Sequence, residues 1–124
     1  MKRKKILIVD DEKDFTDMIK LNLEATGLFE VRAQNKGSMA VETVKEFKPD
    51  LILLDIIMPD SDGGDICFQL RADEKTRYIP VVFLTAVVTD REVNQYDSFI
   101  GGHPFIAKPV TVAKLIECIK KNIM

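Results

Sequence analysis

The chain has 124 residues, a length that fits one compact domain and leaves little room for a second. Its residues are 46% hydrophobic and 31% charged, which allows a sizeable core and argues against general disorder. The formal net charge of −2 argues against a dedicated nucleic-acid surface, and no apolar run approaches the roughly 20 residues that a membrane span needs.

In chain order, short apolar runs alternate with stretches whose apolar residues recur at helical spacing. The first half of the sequence predicts a strand over residues 5–9, a helix over 12–26, an edge strand over 29–33 and a helix between Gly37 and Pro49. Gly27 supplies the stop of the first helix, because glycine readily takes the left-handed conformation found just past a helix end.

The second half continues the alternation. It predicts a very apolar and therefore central strand over residues 51–54, a loop over 55–64, a helix over 66–73, a strand over 80–84, a weakly periodic helix over 89–99 and a short strand over 104–107. Thr111 is placed to cap the last helix at its amino end.

Five strands that alternate with five helices imply parallel pairing through right-handed crossovers. The predicted fold class is therefore α/β, a doubly wound five-stranded parallel sheet with helices on both faces. Cys67 and Cys118 form no motif, and we interpret both as core or edge residues in a reducing cytosol.

Ligand sites in such folds lie beyond the carboxyl ends of the strands. Asp10 and Asp11 follow the first strand, Asp55 the third, Thr85 the fourth and Lys108 the fifth. Each of these residues is ordinary in its position when considered alone. Their joint placement predicts one rim with three carboxylates, a hydroxyl and an ammonium.

Three neighbouring carboxylates need a cation, because two like charges 4 Å apart repel by about 4 kcal/mol at an effective dielectric constant near 20. Mg²⁺ is the hard, oxygen-preferring ion of phosphate chemistry. Together with Lys108 and Thr85 it would hold phosphoryl oxygens while a carboxylate attacks phosphorus. The second strand ends in Gln34 and Asn35, to which the pattern assigns no role.

At this point the sequence resembles the response-regulator receiver domains of two-component signalling, also called CheY-like domains. The resemblance spans residues 1–124 as one domain, and it is carried by Val9-Asp10-Asp11-Glu12, Asp55-Ile56-Ile57-Met58-Pro59 with Gly63, Leu84-Thr85-Ala86 and Lys108-Pro109. It implies a flavodoxin-like fold with the strand order 2-1-3-4-5.

The resemblance also implies roles for single residues. Asp55 would accept the phosphoryl group, and Mg²⁺ would be held by Asp10, Asp11, Asp55 and the backbone carbonyl of Ile57. Lys108 and Thr85 would bind phosphoryl oxygens. Thr85 and Phe105 would form the switch; the family often has tyrosine where this chain has Phe105. Such a domain is not an enzyme acting on a separate substrate, but it assists its own phosphorylation and dephosphorylation.

The implied phosphodonor is a phosphohistidine on a sensor histidine kinase or a histidine phosphotransfer protein. A downstream partner would bind the face built from the fourth helix, the fifth strand and the fifth helix. The resemblance further implies a cytoplasmic location, a monomer or weak dimer, and no direct contact with membrane or nucleic acid.

Two further features concern signal lifetime and the rim. In receivers that this chain resembles, the side chains two positions after the acceptor and two after the threonine flank the line of attack of a hydrolytic water on the aspartyl phosphate, and here they are Ile57 and Val87. Neither side chain can orient water, so slow self-dephosphorylation is predicted. The single histidine, His103, is interpreted as a surface residue.

Three other functions compete with a phosphoacceptor receiver. A degenerate receiver would only dock partners. A phosphatase with an aspartate nucleophile would carry Asp-x-Asp after its first strand, whereas Asp55 follows the third and has no second acid two residues on. A flavin-binding module would need a phosphate loop where Asp10 and Asp11 would repel the phosphate.

Overall fold

The computed structural model describes residues 2–85, 99–100, 103–108 and 110–123. Within these residues, strands and α-helices occur in the order β1 (Lys4–Val9), α1 (Lys13–Ala25), β2 (Phe29–Gln34), α2 (Ala40–Phe47), β3 (Leu51–Asp55), α3 (Gly63–Ala72), β4 (Val81–Thr85), β5 (Phe99–Ile100), β6 (His103–Ala107) and α4 (Val112–Ile123). A single 3₁₀ turn over Gly37–Met39 leads into α2. None of the described helices is both long enough and apolar enough to cross a bilayer.

The sheet has the order β2-β1-β3-β4-β6-β5. The strands β2, β1, β3, β4 and β6 pair in parallel in that order. The predicted fifth strand corresponds to β6, so the pairing confirms the predicted order 2-1-3-4-5. The two-residue β5 was not predicted and pairs antiparallel with β6 at the sheet edge. In the sequence, Gly101 and Gly102 stand between the two strands, and a Gly-Gly pair in that place is a signal for a two-residue hairpin turn.

The core consists of two apolar layers, one on each face of the sheet. Alternate residues of β1 show the division, because Leu7 and Val9 face the layer beneath α2 and α3, whereas Ile6 and Ile8 face the layer beneath α1 and α4. All residues of β3 and β4 are buried, as expected for central parallel strands.

The ends of three helices follow local rules. Gly27 has a φ of 78° directly after the end of α1, as its sequence position predicted. The Thr111 hydroxyl accepts a hydrogen bond from the Lys114 amide and caps α4. The predicted loop over residues 55–64 is wrong at its end, since the Asp62 carboxylate accepts a hydrogen bond from the Gly64 amide and α3 begins at Gly63.

The predicted helix over 89–99 falls largely outside the described residues, and its last residue, Phe99, lies in β5. Both cysteines are free; Cys67 is buried in α3 and Cys118 half-buried in α4, which confirms their core or edge positions. His103, interpreted from the sequence as a surface residue, is partly exposed. It lies half-buried in β6, with its Nε2 3.5 Å from the Cys67 Sγ and its ring packed edge-on against Phe83.

Candidate phosphoacceptor site

The carboxyl ends of the parallel strands bring the three predicted carboxylates together. Asp10, Asp11 and Asp55 each offer one carboxylate oxygen, and these atoms lie within 4.8 Å of one another. The cleft above them has a volume of about 380 Å³, and its lining includes Thr85 and Lys108. The structure therefore unites the residues that the sequence placed on one rim.

Asp10 is the most deeply enclosed of the three, with no exposed surface. Its Oδ1 accepts a hydrogen bond from the Glu12 amide at 2.9 Å, and its Oδ2 accepts one from Lys108 Nζ at 2.6 Å. Both carboxylate oxygens thus have a partner, as burial requires. Asp11, the next residue, is exposed at the mouth of the cleft.

Lys108 is the cation of the site, and it reaches back across the sheet to β1. Besides Asp10, its Nζ lies 3.3 Å from Glu12 Oε1 and 3.8 Å from Asp55 Oδ2, and it sits 4.6 Å from the centre of the Phe15 ring. Burial disfavours the ammonium charge, but the hydrogen bond to Asp10 and the nearby carboxylates outweigh that effect and raise the pKa of Lys108. Lys108 therefore stays protonated in the physiological range.

Asp55 ends β3 with only 4% of its surface exposed. Burial and, next, the negative charge of Asp10 raise the pKa of Asp55 from 3.8 to about 6, although the Lys108 ammonium and the Ile57 amide partly oppose this rise. The Ile57 amide donates to Asp55 Oδ1 at 3.4 Å. A carboxylate with this pKa is ionised at neutral pH but carries an unfavourable charge.

The loop after Asp55 returns tightly to α3, and Gly63 permits the return. A Cβ on Gly63 would lie 2.4 Å from the Asp55 carbonyl oxygen and 2.8 Å from the Ile56 Cα. The Gly63 amide instead donates to the Ile56 carbonyl at 2.7 Å. This close approach explains why a glycine stands here in the motif. In the same loop, Ile57 is 64% exposed and lines the cleft.

Thr85 and Phe105, the predicted switch pair, lie on neighbouring strands. Thr85 is buried at the end of β4 and pairs in register with Ala107, two residues beyond Phe105. The Phe105 side chain is half-buried against the layer beneath α2 and α3. The predicted flank of the cleft at Val87 lies outside the described residues.

Sequence reasoning missed two polar residues that brace the site from the β2–α2 loop side. The Asn35 side-chain amide donates to the Asp10 carbonyl at 2.8 Å and to the Thr16 hydroxyl at 2.9 Å. The Asp60 carboxylate accepts hydrogen bonds from the Gly37 and Ser38 amides at 3.2 and 3.1 Å. For Asn35, the only signal in the sequence was a polar residue directly after β2. No pattern in the sequence indicates that Asp60 binds the loop between β2 and α2.

The donor set suits a hard divalent cation. It consists of carboxylate oxygens, two of them on the nearly buried Asp10 and Asp55 and one on the exposed Asp11. Mg²⁺ keeps several of its waters and uses few protein carboxylates, so an exposed ligand beside buried ones fits its coordination. The residues that are present could therefore bind a metal ion of this kind.

Comparison with known proteins agrees with this geometry. The family model for the response regulator receiver domain matches residues 6–120. The chain belongs to this family. As a receiver domain it is part of two-component signalling, a family assignment that the sequence motifs had predicted.

Solved structures of receiver domains are similar to it. One is the N-terminal domain of a response regulator receiver protein from Methanoculleus marisnigri, with 36% identity over 94% of each chain and a TM-score of 0.70. Another is the signal receiver domain of a signal transduction histidine kinase from Syntrophus aciditrophicus, with 32% identity over 97% of this chain and 89% of that one, and a TM-score of 0.80. The chemotaxis protein CheY4 of Vibrio cholerae shares the fold, with 21% identity over 98% and 99% of the two chains and a TM-score of 0.83.

Proposed function

We propose that this receiver domain takes a phosphoryl group from a phosphohistidine onto Asp55, in a reaction that requires Mg²⁺. The clustering of Asp10, Asp11 and Asp55 with the Lys108 ammonium supports the proposal most directly. A site that only docked partners would gain nothing from three mutually repelling carboxylates, one of them with a raised pKa.

In the proposed transfer, a carboxylate oxygen of Asp55 attacks phosphorus and the bond from phosphorus to the histidine nitrogen breaks. The electron pair of that bond stays on the imidazole, which takes up a proton. Mg²⁺ bound by Asp10, Asp11, Asp55 and the Ile57 carbonyl would neutralise carboxylate and phosphoryl charge. Positioning and charge neutralisation supply most of the catalysis in phosphoryl transfer.

Lys108 and Thr85 would receive the phosphoryl oxygens. The Lys108 ammonium already lies 3.8 Å from Asp55 Oδ2 and is held there by Asp10. Thr85 borders the same cleft from the end of β4. Phosphorylation adds roughly −1.5 to −2 charge units at this rim. That charge would draw the Thr85 hydroxyl inward and allow the Phe105 ring to turn into the space it leaves.

The proposed partners follow from this chemistry. The donor is a sensor histidine kinase or a histidine phosphotransfer protein. The downstream partner binds the face that includes β6 and α4, where Phe105 lies; the helix predicted before β5 would complete that face.

The proposed domain works in the cytoplasm as a monomer or weak dimer, and it does not bind membrane or nucleic acid directly. It is a signalling domain and not an enzyme.

Phosphoramidate, a small donor with a phosphorus–nitrogen bond, tests the proposal. The protein should gain one phosphoryl group by mass spectrometry when Mg²⁺ is present and none when EDTA is present. Asp55→Asn should abolish the gain, whereas Asp65→Asn, a matched change at an exposed position of α3, should not. Equal labelling of both variants would exclude Asp55 as the acceptor.

Two further outcomes separate the alternatives. Absence of labelling in the unmodified protein with Mg²⁺ would favour a receiver that only docks partners. Repeated turnover of a small phosphate ester such as p-nitrophenyl phosphate, lost in Asp55→Asn, would favour a phosphatase.

A further inference from the structure

A second cleft lies at the amino ends of β3 and β4, at the opposite end of the sheet from Asp55. Its volume is about 540 Å³, and it is lined by Val44, Lys45, Lys48, Pro49, Lys75, Thr76 and Ile79. The length of β3, at about 3.3 Å per residue, separates it from the phosphoacceptor rim. The cleft is therefore a distinct site.

The floor of this cleft is apolar. Val44 and Pro49 are buried, and Ile79 is half-buried and packs on the layer beneath α2 and α3. The Thr76 hydroxyl donates to the Leu70 carbonyl at 2.6 Å, so it is engaged within the protein. The floor thus offers mainly apolar contact to a ligand.

One wall of the cleft is held in place by hydrogen bonds. Arg71 Nη1 donates to the carbonyls of Arg77 and Ile79 at 2.5 and 2.9 Å. The Lys75 amide donates to Asp73 Oδ1 at 2.9 Å. These bonds fix the segment between α3 and β4, so a ligand would meet a largely preformed site.

The rim of the cleft is cationic. Three of its seven lining residues are lysines and none is acidic. Lys45 forms an ion pair with Asp73 at 2.9 Å. Lys48 and Lys75, both exposed, form no ion pair within the part of the chain that the structure describes. The Asp73 carboxylate interacts with the charges of both Lys45 and Lys75, so one carboxylate partly balances the three lysines that border the apolar floor.

Lys48 occupies a backbone position that favours glycine. It follows α2 with a φ of 54° and a ψ of 61°, and its amide donates to the Val44 carbonyl at 2.9 Å. Residues with a Cβ rarely adopt this left-handed conformation, and glycine is the usual residue at such a helix end. Lys48 therefore adds a positive charge to the rim in a backbone conformation that is less favourable for lysine than for glycine.

We infer that this cleft binds a small amphipathic anion, an aromatic or short acyl body that carries a carboxylate, sulfonate or phosphate group. The apolar part would contact Val44, Pro49 and Ile79, and the anion would lie between Lys48 and Lys75. The volume falls in the range of about 300–1,000 Å³ that is usual for small-molecule sites.

Anilinonaphthalene sulfonate, a fluorescent amphipathic anion, serves as the probe. The unmodified protein should bind it saturably, and Lys48→Gly combined with Lys75→Gln should weaken binding about tenfold or more, because two charge-assisted contacts are lost. Lys120→Gln combined with Lys121→Gln removes the same charge from the last turn of α4 and should leave binding nearly unchanged. Lys48→Arg should retain binding.

Two further measurements show where the probe binds and whether its negative charge is needed. NMR shifts on titration should centre on Thr76 and Ile79. Equal weakening in both double variants, shifts centred on the Asp55 rim, or equally tight binding of neutral anilinonaphthalene would each overturn the inference. The inference does not depend on the phosphoacceptor proposal, and Lys48→Gly should accept phosphate from phosphoramidate at the normal rate. Glycine suits the backbone at this position, so loss of the fold would not obscure the result.

Discussion

The Lys108 ammonium lies 2.6 Å from Oδ2 of Asp10, a carboxylate without exposed surface. This ion pair joins the last parallel strand to the first and neutralises the charge buried deepest in the site. It also holds the cation 3.8 Å from the Asp55 carboxylate. A phosphoryl group on Asp55 would therefore lie next to an ammonium that Asp10 already holds in place.

Loss of the Lys108 charge should destabilise the fold strongly. Lys108→Met leaves Asp10 and Asp55 as neighbouring buried carboxylates, and removal of one partner of a buried pair costs about 3–5 kcal/mol. Urea unfolding in EDTA should show this loss at pH 7 and a smaller one at pH 5, where protonation relieves the repulsion. Lys13→Met, which breaks the exposed ion pair with Asp17, is the control and should have a slight effect. Similar losses for both variants would contradict the central place of the Lys108–Asp10 pair.

The raised pKa of Asp55 makes stability depend on pH. Its folded-state pKa of about 6 lies above the ordinary 3.8, so its contribution to stability is full below pH 3.8 and is lost as pH rises through 6. In EDTA, Asp55→Asn should exceed the unmodified protein in stability at pH 7 by roughly 1–3 kcal/mol, because the unfavourable charge is gone. The difference should vanish near pH 4.

The decisive quantity is the difference in stability between Asp55→Asn and the unmodified protein at each pH, because His103 titrates in the same range. Burial lowers the pKa of His103, so its contribution to stability is present above pH 6.5 and falls as pH decreases. That contribution cancels in the comparison of Asp55→Asn with the unmodified protein. A constant difference from pH 4 to pH 7 would show that Asp55 has no raised pKa.

Removal of the Asp11 carboxylate should change the affinity for Mg²⁺ far more than the stability of the fold. It is exposed, and its charge is the least of the causes that raise the pKa of Asp55. Asp11→Ala should therefore weaken Mg²⁺ binding markedly and raise the melting temperature in EDTA only slightly. Calorimetric titration with Mg²⁺ and thermal melts in EDTA measure the two effects. A lower melting temperature in EDTA would contradict the clustered-carboxylate description.

Much of this architecture could be predicted from the sequence because the determining signals are local. The apolar runs of β1 and β3 predicted the buried strands. The acidic residues at the carboxyl ends of these runs predicted the rim of the phosphoacceptor site. The alternation of strands and helices gave the parallel sheet. The strand order came from family resemblance, since no local pattern says which strands become neighbours.

What could not be predicted depends on contacts between distant segments. The pairing of Lys108 with Asp10, 98 residues apart, depends on side-chain geometry that no motif encodes. The contact between His103 and Cys67 likewise joins β6 to α3 across 36 residues. The β5 strand was missed because two residues are too short for a periodic pattern.

Asp60 should hold the loop after β3 against the loop after β2. Its carboxylate binds the Gly37 and Ser38 amides, and a Cβ on Gly37 would lie only 2.6 Å from the Ser61 Cβ. Asp60→Asn keeps the shape but replaces one acceptor with a donor, so amide exchange of Gly37 and Ser38 should become about tenfold faster or more. Asp65→Asn is the control, and unchanged exchange in Asp60→Asn would show that the loops do not depend on this contact.

The last prediction concerns how long the proposed aspartyl phosphate persists. Ile57 lines the cleft beside Asp55 with 64% of its surface exposed, so its side chain borders the opening through which water would enter the cleft. A branched apolar side chain screens that approach and cannot orient a nucleophile, whereas a carboxamide can hold a water by hydrogen bonding. Ile57→Asn should therefore shorten the phosphate lifetime several-fold.

Two comparisons make this test specific. Ile57→Val remains branched and apolar and should keep the long lifetime, and Val87→Glu, combined with Ile57→Asn, should shorten it further. Phosphate release after removal of phosphoramidate gives the rates, and Mg²⁺ affinity measured in parallel shows whether the metal site is intact, since the Ile57 carbonyl is a proposed ligand. Unchanged or slower release in the double variant, with unchanged Mg²⁺ affinity, would contradict the prediction that Ile57 and Val87 prolong the signal by screening phosphorus from water.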